Sequence, residues 1–303
     1  MNTSLKAAIC LVLATLFWSG NFVVGQAAVT SMTPVELTFW RWTLAALPLL
    51  LLARMVDRPD WRAVFRYWPT LLLLCVLGMC GYTLLLYAAL QHTSALNASL
   101  ITAANPALIV VLAIFILGER PGAPGWAGIG LGLAGVLLVL TGGDFERLLN
   151  ISFNLGELLM LGAITVWGLY TIIARSLVIP AITATAVQAA MATVILAPVA
   201  VATGAHLPET AAGGWSLAYI AVFPSVGAYL LWNLALKTTA PGTAGIYLNL
   251  MVVFTAAISL LLGRTISVPQ ILGGLLVVGG VLLTSVRPSG KSPGIMPKEP
   301  ERA

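Results

Sequence analysis

The chain has 303 residues, 59% of them hydrophobic and 8% charged, with a net charge of +5 and a mean hydropathy of +0.99. A soluble domain of this size would need far more polar surface to cover its core, so the composition excludes a water-soluble globule and leaves lipid as the solvent. Nor does the basic excess point to nucleic acid, because Lys and Arg stand beside apolar runs and form no stripe on a soluble face.

A helix needs about 20 apolar residues to cross a hydrocarbon core of about 30 Å. By that measure the chain holds ten spans, at 6–27, 34–54, 66–90, 95–117, 124–142, 155–178, 183–203, 214–236, 241–262 and 268–286. The first begins after Lys6 and ends near Gly25-Gln26-Ala27, a pattern that resembles a signal cleavage site. Its apolar run from Leu5 to Val24 is longer than a signal core and has a counterpart in mid-chain, so it reads as a span. Trp18, Asn21 and Gly25 fall on one face of it at spacings of three and four.

Thr33-Pro34-Val35-Glu36 reads as a capping box that starts the second span. Arg41 lies well inside that span, where a lone charge would cost at least about 3 kcal/mol. It therefore needs a partner, with Glu36 or Glu157 as candidates, or a role in binding a substrate carboxylate. The third span carries Tyr82 and Tyr87. The fourth carries Asn105 at depth, followed by Pro106, which removes a backbone hydrogen bond and predicts a kink. Asn105 either satisfies that kink locally or meets ligand.

Gly128, Gly130, Gly132 and Gly135 in the fifth span lack the preceding strand of a nucleotide-binding loop and read as close helix contacts. The sixth span opens near Glu157 and presents Trp167, Tyr170 and Ala174 on one face, as the first presents Trp18 and its neighbours. Tyr229 and Asn233 on the eighth span, with Tyr247 and Asn249 on the ninth, complete the candidate lining of an apolar central cavity. Trp61, Trp68, Trp126 and Trp215 sit near span ends and read as interfacial anchors. The tail, 288–303, has no apolar periodicity and reads as disordered.

The two halves resemble each other. Phe17-Trp18-Ser19 lies over Val166-Trp167-Gly168, Leu117-Gly118 over Leu262-Gly263, and Gly128 with Gly135-Val136-Leu137-Leu138 over Gly273 with Gly280-Val281-Leu282-Leu283. The units are 1–148 and 149–287. A tandem unit with an odd number of spans enters the membrane in opposite senses in its two copies, which gives inverted repeats and an architecture suited to transport. With the N-terminus inside, Lys6, Arg54, Arg58, Arg62, Arg66, Arg120, Arg175, Lys237 and the tail cations share one side, against Arg147 and Arg264 on the other. Both termini are then expected in the cytoplasm.

These motifs resemble the drug/metabolite transporter superfamily, in its EamA-type branch of two five-helix repeats. The resemblance covers residues 6–287. It rests on Phe17-Trp18-Ser19-Gly20-Asn21-Phe22, Pro34 with Phe39-Trp40-Arg41-Trp42, Tyr87-Ala88-Ala89-Leu90, Asn105-Pro106, Leu117-Gly118-Glu119 and the Gly128/Gly135-Val136 span. Asn233-Leu234-Ala235-Leu236 is similar to the end of the third span. Arg264 stands where a glutamate often follows Leu-Gly, which weakens any role for that acidic position. The resemblance implies an all-α integral membrane fold around a central cavity, in a bacterial-type inner membrane, and is greatest to exporters of amino acids, aromatic ones included.

Other cargoes stay open: drugs, sugar nucleotides or phosphorylated metabolites. A lipid-modifying membrane enzyme would need a nucleophile-base pair or a metal cluster. The two histidines, His92 and His206, are peripheral and the three cysteines make no ligand motif, so catalytic residues, metal and cofactor are all expected to be absent. No obligatory protein partner is evident. With every Asp and Glu near a span end or in a loop, a midplane proton relay is not expected. Flux is then facilitated, or coupled through Glu36 or Glu157.

Overall fold

The computed structural model describes residues 3–118, 122–144, 154–174, 177–236, 238 and 247–285. Glu119, Arg120, Arg147, Arg175, Lys237, the start of the ninth expected span (241–246) and the tail 288–303 lie outside the described residues. Within them the chain is all helical. Eight helices are long and apolar enough to cross a membrane, and two shorter apolar helices stand where the ninth and tenth spans are expected.

The first span is Thr3–Ala28. The second is Pro34–Leu52, continued by a π-helical turn at Ala53–Asp57. A short helix, Trp61–Phe65, precedes the third span, which is built from Trp68–Leu74, a π segment at Cys75–Gly81, and Tyr82–Leu90. The fourth joins Ala95–Ala103 to Asn105–Leu117. The fifth, sixth and seventh are Ala123–Thr141, Leu155–Ala174 and Ala181–Ala202. The eighth is Ala211–Val222, a π turn at Phe223–Gly227, and Ala228–Leu236. Leu250–Leu261 and Val268–Ser285 are the ninth and tenth.

Local chemistry explains the boundaries. Thr33 caps the second span as its sequence predicts: its hydroxyl accepts from the Glu36 N–H at 3.2 Å, and the Glu36 carboxylate accepts from the Thr33 N–H at 2.7 Å. The kink predicted at Asn105-Pro106 is a break at Ala104, whose N–H turns back to Ile101 at 3.1 Å. Proline has no N–H to offer the ladder there, so the helix ends and restarts. Of the four tryptophans near span ends, Trp68, Trp126 and Trp215 are exposed near the starts of their helices, whereas Trp61 is partly buried against the second and seventh spans.

Contacts between spans come in matched pairs. The first span packs on the eighth and ninth, and the sixth packs on the third and fourth; the second packs on the seventh and the fifth on the tenth. The fifth–tenth seam is the tightest. A Cβ on Gly135 would lie 2.6 Å from the Gly273 carbonyl, and one on Gly280 would lie 2.5 Å from the Gly128 carbonyl. Only bare backbone fits at these positions, the close contact expected of Gly128 and Gly135, whereas Gly130 meets nothing within 4 Å. The second–seventh contact is a small-residue packing of Ala45 and Leu49 near Ala186, Ala189 and Ala192.

Loops alternate between the face where the first span starts, here the near face, and the opposite, far face. At the near face Asp57 accepts from the N–H and hydroxyl of Thr183, at 2.9 and 2.8 Å, and so caps the seventh helix from outside its own chain segment. At the far face Asn97 donates to Glu157 at 3.2 Å and accepts from Gln270 at 2.7 Å, tying the fourth, sixth and tenth spans.

Candidate functional site

The centre of the bundle is shaped by the two π segments. In the eighth span Pro224 cannot complete an α-helical ladder, and its carbonyl, left within the widened turn, accepts from Trp18 Nε1 at 3.1 Å. In the third span the Met79 carbonyl accepts from Trp42 Nε1 at 2.9 Å and also from the Thr83 hydroxyl. Each π segment thus offers a backbone carbonyl to a tryptophan of a neighbouring helix.

Arg41 lies among these elements and is 4% exposed. Its Nε donates to Ser225 Oγ at 2.8 Å; its Nη1 donates to Tyr87 Oη at 2.6 Å and to Asn21 Oδ1 at 3.3 Å. Tyr87 in turn donates to Asn21 Oδ1 at 3.1 Å. The guanidinium carbon also stands 4.7 Å from the Trp42 ring centroid and 5.9 Å from that of Tyr87. Neutral groups from the first, third and eighth spans thus hold the cation.

The sequence expectation of a glutamate partner is not met among the described residues. Glu36 is committed to the Thr33 cap and, on its other oxygen, to the His206 N–H at 3.4 Å, with the His206 ring 3.7 Å away. Glu157 accepts from Asn97. Both carboxylates satisfy helix ends and inter-span contacts at the far face, a demand that local sequence places on them before any long-range ion pair.

Aromatic rings surround the cation in two sets. Trp18 meets Tyr229 edge-on at 5.7 Å and Trp232 at 5.4 Å. Trp167 meets Tyr82 at 4.9 Å and stacks on Tyr170 at 4.9 Å. Trp18 and Trp167 occupy matched positions of the two halves, and each meets a tyrosine just beyond a π segment, Tyr229 and Tyr82 respectively. Tyr82, Tyr87 and Tyr229 all lie within electrostatic reach of Arg41, and Tyr170 lies within reach of Tyr229 and of the Gln188 amide. Trp18, Tyr82, Trp167, Tyr170 and Tyr229 are partly exposed although deep in their spans.

The other residues singled out in the sequence lie around this cluster. Asn105 faces Gly168 of the sixth span, and its Oδ1 has no hydrogen-bond partner among the described residues; the same is true of Asn249 Nδ2. Asn233 donates to the Tyr229 carbonyl of its own helix at 2.8 Å. Tyr247 packs with Ala7, Leu11 and Ala235 toward the near face, away from Arg41. Ser225 and Gln188 were not singled out in the sequence, and Trp42 entered only through the Phe39-Trp40-Arg41-Trp42 motif. Ser225 and Gln188 could have been found as polar residues in otherwise apolar spans.

A cavity of about 1110 Å³ opens at the far face between the first, fourth, eighth and ninth spans. Gln26, Gln91, Ser216, Ser259 and Arg264 give it polar walls, and Val23, Val24 and Leu90 line its apolar part. Asn21, Arg41, Tyr87 and Ser225 are not among its lining residues, and Tyr87 and Leu90 pack against Gly25 of the first span.

The EamA-like transporter family model matches the chain twice, at residues 5–141 and 154–286. Among the similar proteins are the uncharacterized transporter YyaM of Bacillus subtilis, 29% identical over 89% of this chain and 90% of that protein, and an uncharacterized transporter of Archaeoglobus fulgidus, 30% identical over 93% and 98%. A probable terminal-alkyne amino-acid exporter of Streptantibioticus cattleyicolor is 28% identical over 94% of this chain and 95% of its own. A chain of known crystal structure superposes with a TM-score of 0.64, at 19% identity, over 92% of this chain and 98% of the other.

Proposed function

The chain belongs to the EamA-like transporter family, within the drug/metabolite transporter superfamily, and on that premise we propose that it exports amino acids, aromatic ones included, by alternating access. It is a multi-pass membrane protein and a transporter. The finer reading rests on one observation: matched Trp–Tyr pairs, Trp18 with Tyr229 and Trp167 with Tyr82, border a single buried guanidinium. Rings of this kind suit an apolar or aromatic side chain, and the guanidinium suits a carboxylate. A relative bearing the name of an amino-acid exporter supports the same cargo class.

In this reading residues 1–148 and 149–287 are inverted repeats that rock about the central cluster, and the matched pairing of spans supports that symmetry. Lys6, Arg54, Arg58, Arg62 and Arg66 put the near face in the cytoplasm of a bacterial-type inner membrane. The far-face cavity is then the exit, and the conformation described is open outward.

The test is uptake and counterflow in proteoliposomes with a panel of labelled amino acids, drugs and phosphorylated metabolites. Saturable flux of phenylalanine or another amino acid is expected, lost in Trp18→Ala and Trp167→Ala. Saturable flux of a different metabolite class with none of any amino acid would overturn the reading.

A further inference from the structure

At the near face, the stretch that joins the second span to the third carries Arg54, Arg58, Arg62 and Arg66, arginines at intervals of four with no lysine among them. Arg54 lies on the π turn and Arg58 at its end, where φ is 47°. Arg62 lies on the short helix Trp61–Phe65 and Arg66 at its end. All four are exposed, and none is within ion-pair distance of a carboxylate among the described residues. The two acids of the stretch are already engaged: Asp57 accepts from the N–H and hydroxyl of Thr183, and Asp60 accepts from the Arg62 N–H. The stretch therefore carries positive charge that the protein itself does not neutralise.

An apolar groove of about 440 Å³ adjoins it. One wall is a stripe of the seventh span, Val187, Ala190, Met191, Val194 and Ile195, whose spacings of three and four put them on one helix face. Leu50 of the second span, Leu72 of the third, and Trp61 and Phe65 of the short helix complete the lining, and every lining residue is apolar. Val194 is 71% exposed and Phe65 57%, so the groove opens outward from the bundle. The stripe extends about 12 Å along its helix. Arg54 follows Leu50 by one helical turn, and Arg62 and Arg66 directly follow Trp61 and Phe65, so the cations gather at the near-face end of the groove. Exposed Tyr67 and Trp68 mark that end as the level of the membrane interface.

We propose that the groove and its arginines bind an anionic phospholipid, with one acyl chain along the seventh span and the headgroup phosphate on the guanidinium forks. Charge complementarity selects the occupant. The apolar groove matches an acyl chain and the uncompensated cations match a phosphate, and a phospholipid carries both in that order from membrane to interface. Arginine meets phosphate with two parallel N–H bonds, whereas lysine meets it as a point charge. Orientation in the membrane would be served equally by lysine, so the all-arginine composition favours recognition. A lipid in this place touches the second, third and seventh spans and braces them together. The site stands apart from the Arg41 cluster, and the proposal does not depend on the cargo.

The experiment uses the purified full-length protein, stripped of lipid in detergent, with phosphatidylglycerol, phosphatidylcholine of the same chains, and glycerophosphoglycerol, the headgroup without chains. Native mass spectrometry reads binding, and thermal unfolding reads the bracing. Phosphatidylglycerol is expected to bind about tenfold or more tightly than phosphatidylcholine and to raise the unfolding temperature. Glycerophosphoglycerol should do neither. The double variant Arg62→Gln/Arg66→Gln keeps Lys6, Arg54 and Arg58 for orientation. It should lose most of the preference for phosphatidylglycerol and leave phosphatidylcholine binding unchanged. Ala190→Trp fills the groove with every cation in place and should weaken both lipids.

Equal binding of the two lipids by the native protein overturns the proposal, as does a full preference for phosphatidylglycerol in the arginine double variant. Undiminished affinity in a monodisperse Ala190→Trp protein would reduce the effect to diffuse charge attraction and overturn it too. So would protection by glycerophosphoglycerol equal to that by the lipid, or a dimer of the stripped protein that closes the groove. Should Ala190→Trp fail to fold, Val194→Trp, at a position already 71% exposed, takes its place with the same expectation. Should the arginine double variant fail, Arg62→Lys/Arg66→Lys replaces it: the charge stays, the forks go, and a partial loss of preference is expected.

Discussion

The fifth–tenth seam and the Arg41 cluster are both places where the first half of the chain meets the second, and they are built in opposite ways. At the seam side chains are removed: Gly135 meets the Gly273 carbonyl and Gly280 meets the Gly128 carbonyl, so backbone lies on backbone. At the centre side chains are added, and tryptophan, tyrosine and arginine fill the space between π-bulged helices. Lipid offers no hydrophobic drive for helices to associate, so a fixed joint relies on close van der Waals approach. A site that must take and release cargo needs the reverse, groups whose partners can be exchanged. In the alternating-access proposal the seam holds the halves together and the centre rearranges.

Placing a large side chain in the seam is the most damaging way to break that comparison. Overpacking costs about 1–3 kcal/mol where neighbours can yield. In Gly135→Leu the obstacles are a carbonyl at 2.6 Å and the Val277 nitrogen at 2.8 Å, which cannot. Loss of most monodisperse protein in size-exclusion chromatography is expected. Gly130, on the same helix, meets nothing within 4 Å of an added Cβ, so Gly130→Ala should purify normally. Equal behaviour of the two variants would remove the seam's special status.

The central cluster should respond less in stability and more in transport. Tyr87→Phe deletes the hydroxyl that bonds both Arg41 and Asn21. A hydrogen bond to a charged group is worth about 1.5–3 kcal/mol, so a lower unfolding temperature is expected together with a raised KM for flux. Unchanged transport would show that this end of Arg41 is scaffold. Trp18→Phe removes the bond to the Pro224 carbonyl, a neutral one worth about 1 kcal/mol. Its thermal shift should be the smaller, and flux should fall in both variants.

Much of the scaffold was legible in the sequence because its causes are local. The capping box of Thr33 and Glu36, the break at Asn105-Pro106 and the glycine pairs of the seam each follow from a few adjacent residues or a repeat of them. The depth of Trp18 and Trp167 was likewise readable from span boundaries. The partners of Arg41 were not. Ser225 lies 184 residues away, and only the packing of the eighth span on the second brings it near. The π segments were hidden as well, since average hydropathy over a span does not register one residue of extra winding.

The smallest expected effect tests why Glu36 does not serve Arg41. If the carboxylate is held at the far face by the capping box, Thr33→Ala should cost about 1 kcal/mol, the usual worth of a lost N-cap. That deletes the hydroxyl which accepts from the Glu36 N–H at 3.2 Å but leaves the Glu36 carboxylate on the Thr33 N–H at 2.7 Å. Glu36 then stays in place and transport should be untouched at saturating substrate. Thermal unfolding beside proteoliposome flux measures both quantities. A Thr33→Ala protein of normal stability with impaired flux would mean that the cap end of the second span takes part in gating, and the line between fixed and moving parts would have to be drawn through that helix rather than around it.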